Sequence, residues 1–434
     1  MKAGRLRILQ INTMDVQGGA ARAAYRLHRG LVSLGADSTY FVRDRRMPDD
    51  TVRQFIADPS PAAVAHRAAC KAELTAAYDA YKPTLSPDIE QFSQERVDGD
   101  ENFYIQRPRA EIINLHWIAG FVDYRLFFTP ERTDCPVVWT LHDMNPFTGG
   151  CHFDAGCGRF KTHCGACPWL GSTDENDLTS RVFNAKADIF AKWPADRLHI
   201  VTPGRWLQGE AKASALFGKF DSTCIPNSIE TDIFKPMDQV AARAALGLPL
   251  NARIVLFMSH QIRLARKGFR ELVQALSLVP DAQNIVLLAV GDNKNQVAID
   301  APFKVALVNY IGDDATVAAL YSAADVTAVP SQQDNLPNTM LESMSCGTPV
   351  VGFDVGGIPD MVREGETGFL APPGNVAGLA SAFVAAFADG EKLKAYGRRA
   401  RSLVEERHAP KVQAAAYLAL YETLTEAVRR KRGY

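Results

Sequence analysis

Two doubly wound α/β domains, each a parallel sheet with helices on its faces, are what this sequence predicts. Three observations carry the expectation. Apolar runs of strand length alternate along the chain with segments of helical spacing, the pattern of parallel sheets. The alternation breaks at Pro226-Asn227-Ser228-Ile229-Glu230 and restarts after it. And 434 residues are more than one ordinary core organises. The expected division is 1–232 and 233–408, followed by a helix-patterned segment, 409–434.

The first half opens with a buried strand, 6–11, then a polar loop ending in Gly18-Gly19. Ala20, Ala24, Leu27, Leu31 and Leu34 mark a helix that Gly35 stops. The loop is not Gly-x-Gly-x-x-Gly, so the dinucleotide fingerprint is absent, despite Asp44 after the second strand, 38–42. Two adjacent glycines let backbone approach a ligand closely; they serve a tight turn equally well. The Ala-rich segment 61–81 reads as a helix whose His66, Arg67 and Lys71 are interrupted by Glu73 and Asp79. That makes it a surface helix, with peripheral membrane contact as the other reading. Strands follow at 111–117 and 137–141, the second ending in His142-Asp143. A His at the carboxyl end of a parallel strand is placed where ligands bind, although a structural His has the same signature.

Residues 149–168 form a polar, Cys-rich insertion holding four of the eight cysteines: Cys151, Cys157, Cys164 and Cys167. Cys164-x-x-Cys167 has zinc-knuckle spacing, while the first pair is wider. Structural zinc and free thiols both stand as readings; a catalytic metal does not. His152 and His163 are spare candidate ligands, and Trp117, Trp139 and Trp169 are expected to cover the lobe. Strands at 198–202 and 222–225 close the first half.

The second half runs strand (253–258), basic loop (Arg263-Leu264-Ala265-Arg266-Lys267-Gly268), helix (269–278) and strand (285–290). Further strands are expected at 305–311, 325–329 and 349–353, and helices at 377–388, 392–406 and 411–430. The basic end, Arg429-Arg430-Lys431-Arg432, reads as a solvated terminus or a contact for acidic lipid.

The chemistry concentrates in 331–351. Pro337 suits a first helical position and Gly347 the residue past the helix end. The N–H groups of 336–339 then make an anion site at the helix mouth. Asp334 and Glu342 beside that site point to a ligand that also carries hydroxyls, which carboxylates accept. Arg263, Arg266 and Lys267 add the cations a diphosphate needs without a metal ion. The halves are expected to face each other across a cleft, with departure of a nucleoside diphosphate as the supported reaction and an acceptor hydroxyl as nucleophile.

Composition sets the bounds. Net charge is −1, which opposes a broad nucleic-acid surface. Hydrophobic content of 47% and charged content of 22% fit a globular protein. No apolar run approaches the roughly 20 residues of a membrane helix. Met1-Lys2-Ala3-Gly4-Arg5 leads straight into a strand with no apolar signal region, so the expected location is the cytoplasm, free or peripheral at the inner face of the membrane, with thiols reduced.

The stretch from Pro330 to Asp360 resembles the donor-site signature of retaining family 4 glycosyltransferases, whose fold is GT-B: two facing Rossmann-like domains. The family places two glutamates with seven residues between them; here Asp334 and Glu342 hold those positions. Gly356-Gly357-Ile358-Pro359-Asp360 fits the later segment with Asp for Glu, and Gly365-x-Thr367-Gly368-Phe369-Leu370 also fits. The resemblance touches Gly18-Gly19, His142, Pro226-Asn227-Ser228-Ile229 and Lys267-Gly268; the usual Arg before the Lys is Ile262, with Arg263 or Arg266 as substitutes. The Cys-rich insertion is similar to one in polysaccharide-assembly members.

The resemblance implies a retaining transfer of sugar from a nucleotide-diphosphate donor to a hydroxyl of a glycan or lipid-linked oligosaccharide, with no cofactor needed for catalysis. Asp334, His142 and Lys267 would be catalytic, with Asp334 and His142 beside the donor sugar. Glu342 would hold the ribose, and Gly18, Gly19, Arg263, Arg266, Lys267, Asn335, Leu336 and Pro337 would bind the donor. The last helix would cross back to the first domain. Two other classes stay open: an inactive sugar-nucleotide-binding module, and an epimerase or phosphorylase of the same fold.

Overall fold

The computed structural model describes residues 5–292 and 299–432, without the side chain of Arg432. The opening residues Met1 to Gly4 lie outside that range. The chain forms two compact units, one of Met1–Ile225 with Ala414–Tyr434, the other of Pro226–Gln413.

The first unit is built on seven strands: β1 (Arg7–Met14), β2 (Asp37–Asp44), β3 (Val52–Gln54), β4 (Ile112–Leu115), β5 (Val137–Thr140), β6 (Leu198–Thr202) and β7 (Ser222–Cys224). Their order is β3-β2-β1-β4-β5-β6-β7 and every pairing is parallel. Residues buried on both sides of a strand explain its unbroken apolar run. One face packs an aromatic core that includes Phe128, Trp139, Phe190, Trp193 and Phe217. The other packs Leu27 and Leu31 of the first helix (Gly19–Ser33) with Tyr417 and Tyr421 of the last (Pro410–Arg432). Trp139 therefore belongs to the core and does not cover the Cys-rich lobe, contrary to expectation.

The second unit has six strands: β8 (Arg253–Gln261), β9 (Ile285–Asp292), β10 (Lys304–Val308), β11 (Val326–Val329), β12 (Val350–Phe353) and β13 (Gly368–Ala371). The order is β10-β9-β8-β11-β12-β13, again wholly parallel. Separate apolar clusters cover its two faces. In each sheet the strand order reverses direction once, beside β1 and β4 in the first and beside β8 and β11 in the second. Ligands of doubly wound sheets sit at such points, beyond the carboxyl ends of the strands.

The first boundary lies earlier than 232 because Ile229 is fully buried in the second unit's core and its N–H donates to His408 O at 2.9 Å. The second lies later than 408 because Gln413 receives the Ser228 hydroxyl at 2.7 Å and donates to Pro226 O at 2.8 Å. Among the described residues no helix is long and apolar enough to cross a membrane.

Candidate functional site

In the second unit, β8 and β11 lie side by side and their following loops lock together. The chain after β8 makes a single helical turn, Ala265–Lys267, closed by Gly268 at φ 72°. A Cβ at Gly268 would stand 1.8 Å from the Pro330 carbonyl oxygen, so only glycine lets the basic loop lie against the end of β11. Gln332 N–H then donates to Arg266 O at 2.7 Å, and the Arg266 guanidinium to Gln333 O at 2.8 Å. From the opposite side Gly356 and Gly357 press on the backbone of Asp334 and Asn335, with the Gly357 N–H on Asp334 O at 3.2 Å.

This clamp fixes Asp334. Its carboxylate takes the Lys267 ammonium at 2.5 Å, the Ser331 hydroxyl at 3.1 Å and the Asn335 N–H at 3.0 Å, with Arg266 at 3.6 Å. Burial opposes its ionisation, but the charges of Lys267 and Arg266 outweigh that and hold the carboxyl below the usual range. Of the two candidate substitutes for the missing arginine, Arg266 is the one brought to Asp334; Arg263 lies exposed on the loop, and Ile262 is buried in the core. The helix after β11 runs Asn338–Ser345, so Pro337 is its N-cap and not its first helical residue. Gly347, at φ 75°, follows its end as expected. Glu342 is 7% exposed and accepts the Tyr321 hydroxyl at 3.1 Å. Leu336 is buried at the helix entrance. The second unit thus brings together Arg266, Lys267, Asp334, Asn335, Leu336, Pro337 and Glu342. The N–H of Asn335, a residue expected to bind the donor, donates to the Asp334 carboxylate.

The first unit groups a different set. Gly18, at φ 87°, caps the first helix and is exposed with Gly19. Beyond β5, half-buried His142 has its Nε2 3.1 Å from Nδ1 of His116, whose Nε2 is 2.7 Å from Gln10 Oε1. Gln10 donates its amide to Tyr421 Oη at 3.2 Å, which leaves Oε1 as an acceptor. His116 must then donate from Nε2 and accept at Nδ1, and His142 must donate from Nε2. This chain needs His116 neutral, since its Nδ1 accepts, and is compatible with a neutral His142. Burial supplies that, pushing His142 down to about 4 against the pull of Asp143, and His116 well below its ordinary value. Sequence reasoning missed His116 and Gln10. His116 follows β4 as His142 follows β5, so the strand-end rule applied to β4 would have found it.

Asp143 is not a second free acid. It accepts His152 Nδ1 at 2.6 Å and Trp117 Nε1 at 3.0 Å, and His152 Nε2 meets Ser93 Oγ at 2.9 Å. With both ring nitrogens engaged, His152 is withdrawn as a spare metal ligand. His163 meets Ser180 Oγ through Nε2 at 3.1 Å. Lys186, fully buried, donates to Asn145 O at 2.6 Å and Thr148 O at 3.0 Å, tying down the loop that follows Asp143. Cys151, Cys157, Cys164 and Cys167 line one cavity with Trp169, and all four thiols are free of disulfides.

Comparison with known proteins places this geometry. The family model described as "Glycosyl transferases group 1" matches residues 252–389. A D-inositol 3-phosphate glycosyltransferase of Mycobacterium bovis is 34% identical over 272 residues, 60% of this chain and 50% of that protein. An N-acetyl-alpha-D-glucosaminyl L-malate synthase of Bacillus anthracis is 26% identical over 205 residues, 46% and 53% of the two chains. The chain thus spans about half the length of the curated relatives it matches. In structure it is similar to sucrose-phosphate synthase from Thermosynechococcus elongatus, with a TM-score of 0.67 at 21% identity over 98% of this chain and 100% of that one. The donor-site segment thus lies inside the residues, 252–389, that match the group 1 glycosyltransferase model, and the two parallel α/β sheets give the chain the GT-B fold.

Proposed function

We propose that the protein is a retaining glycosyltransferase that moves a sugar from a nucleotide-diphosphate donor to an acceptor hydroxyl, without a metal cofactor. The observation that carries the reading is the clamp in the second unit: two cations and a helix entrance beside one fixed carboxylate, with a second, buried carboxylate farther along the helix. Arg266 and Lys267 are assigned to the diphosphate, where they offset the charge that develops on the departing phosphate. Lys267 is shared in this role with Asp334, so its position does not depend on donor. Glu342, held by Tyr321, is assigned to the ribose hydroxyls. Asp334 is assigned to the donor sugar, Gly18 and Gly19 to close approach of the donor, and neutral His142 to a hydroxyl of the sugar.

The acceptor assigned here is a glycan or lipid-linked oligosaccharide hydroxyl in polysaccharide assembly, met at the inner face of the membrane. A small hydroxylated acid or phosphate is the second reading, favoured by the names of the two relatives, which print L-malate and D-inositol 3-phosphate.

Release of nucleoside diphosphate from a panel of UDP-, GDP-, ADP- and dTDP-sugars, with and without Mg²⁺, tests the activity. One donor should be consumed in an acceptor-dependent manner, indifferent to Mg²⁺, with the anomeric configuration kept in the product. Intact donor throughout, with every acceptor class supplied, would leave the inactive binding module as the reading.

A further inference from the structure

We propose that the Cys-rich insertion is a structural zinc site, with Cys151, Cys157, Cys164 and Cys167 as its four ligands, and that the ion pins the loop carrying His142. The four sulfurs belong to one short insertion and line a single cavity of about 20 Å³. Three of the four are well covered: Cys164 and Cys167 are each 8% exposed, Cys151 is half-buried, and Cys157 is exposed. All eight cysteines of the chain are free thiols, so no disulfide competes for these four.

Burial disfavours the thiolate at Cys151, Cys164 and Cys167, so the charge of the ion itself must draw off their protons. Ala166, between Cys164 and Cys167, holds a left-handed φ of 42°, which an Ala adopts only where its surroundings impose it. Four thiols bind Zn²⁺ by releasing four protons, so the loaded site carries two net negative charges. The fully buried Lys186 lies close enough to Cys151 and Cys164 for its charge to act on them, and Arg159 stands at the cavity wall. Arg159 is already paired with Glu175 and Asp154 also lines the cavity, so Lys186 is the cation that offsets part of the surplus.

Among the described residues, no group of three or more Cys, His, Asp or Glu side chains is placed to hold a metal ion as the chain stands. The ligands must therefore shift to close on an ion, and Cys157 is the exposed one of the four. It sits on an exposed turn built from Ala155, Gly156 and Gly158, all at positive φ. Drawing the four sulfurs to about 2.3 Å from one ion closes that turn over the cavity.

The ion's effect would reach the first unit's strand ends through contacts already made. The Met144 N–H donates to His152 O at 2.9 Å, and Asn145 Nδ2 to Gly150 O at 2.8 Å. Together with the Asp143–His152 pair, these join the insertion to the residues directly after His142. The four cysteines are positioning residues in this account.

Metal content tests the proposal without any sugar substrate, so its outcome is independent of the transferase reading. The chain is purified under reducing conditions, loaded with zinc and freed of excess metal. Elemental analysis should find about one zinc per chain, released by a mercurial thiol reagent. A Cys164→Ala/Cys167→Ala variant should fall to background, while Cys70→Ala, outside the insertion, keeps the full content. If the double variant does not fold, Co²⁺ substitution of the native chain decides: an intense thiolate-to-cobalt charge-transfer band is expected, and its absence overturns the site. A native chain that takes up no zinc, or zinc kept in a folded double variant, also overturns it. Stripping zinc should lower the melting temperature and loosen hydrogen-exchange protection at residues 143–152; zinc present with no change in that loop would overturn the pinning role.

Discussion

Lys267 and Asp334 are where the site's charge is decided. A carboxylate only 9% exposed at its side chain is kept ionised by an ammonium at 2.5 Å. Removing one partner of such a pair leaves a buried charge without compensation. Lys267→Met should therefore cost about 3 kcal/mol of stability, read from chemical denaturation. Pairing it with Asp334→Asn should recover part of that loss, since the buried carboxylate charge is then gone and Arg266 keeps its bond to Gln333 O. Equal loss in the single and double variants would show that the two residues are not coupled.

The basic turn and the loop after β11 behave as one element. Gly268 joins them, and Gly268→Ala combines a φ of 72° with a Cβ 1.8 Å from a carbonyl oxygen. It should destabilise the second unit by roughly 1–3 kcal/mol and weaken nucleotide binding with it. Unchanged denaturation and binding would mean the loops can separate without consequence. At this scale much of the architecture was legible in the sequence. The strands from 198–202, 253–258 and 349–353 read correctly because buried parallel strands are continuous apolar runs. The candidate residues of the second unit could be picked out as neighbours because strand, polar loop and Pro-led helix follow one another within a single short stretch. What did not read were features set by distant partners. The short strand β3 (Val52–Gln54) has only Val52 buried and is defined by pairing with β2. Trp139 looked like a lid and is a core residue, because nothing local distinguishes the two. The roles of His116 and His152 depend on rings brought together from separate strand ends and loops.

Across the whole molecule, burial lowers the ring pKa of five histidines, His199 and His408 among them; the largest shifts take His28 to about 4, His142 to about 4, and His116 well below its ordinary value. The unfolded chain takes up protons at these rings as pH falls through about 6.5, whereas the folded chain does not until near 4. Stability should thus fall on acidification from about pH 6.5 toward pH 4, and the melting temperature should follow it. Asp334 acts in a lower window: its contribution is complete above the ordinary carboxylate pKa and is lost as pH drops through its depressed value. A melting temperature flat between pH 7 and 4 would contradict the neutral-ring chain from Gln10 to His142. The formal net charge of −1 gives no strong field of its own, so ligand attraction must come from local groups such as Arg266 and Lys267.

The central claim is that the second unit's clamp binds the nucleoside diphosphate of a sugar donor. Calorimetric titration of UDP, GDP, ADP and dTDP into the native chain and into Glu342→Ala tests it most directly. The account predicts that one diphosphate binds without Mg²⁺ and that the variant loses about 1.5–3 kcal/mol of that affinity, as expected for a lost charged hydrogen-bond partner. Absence of binding by every diphosphate, or affinity that ignores Glu342, would contradict it.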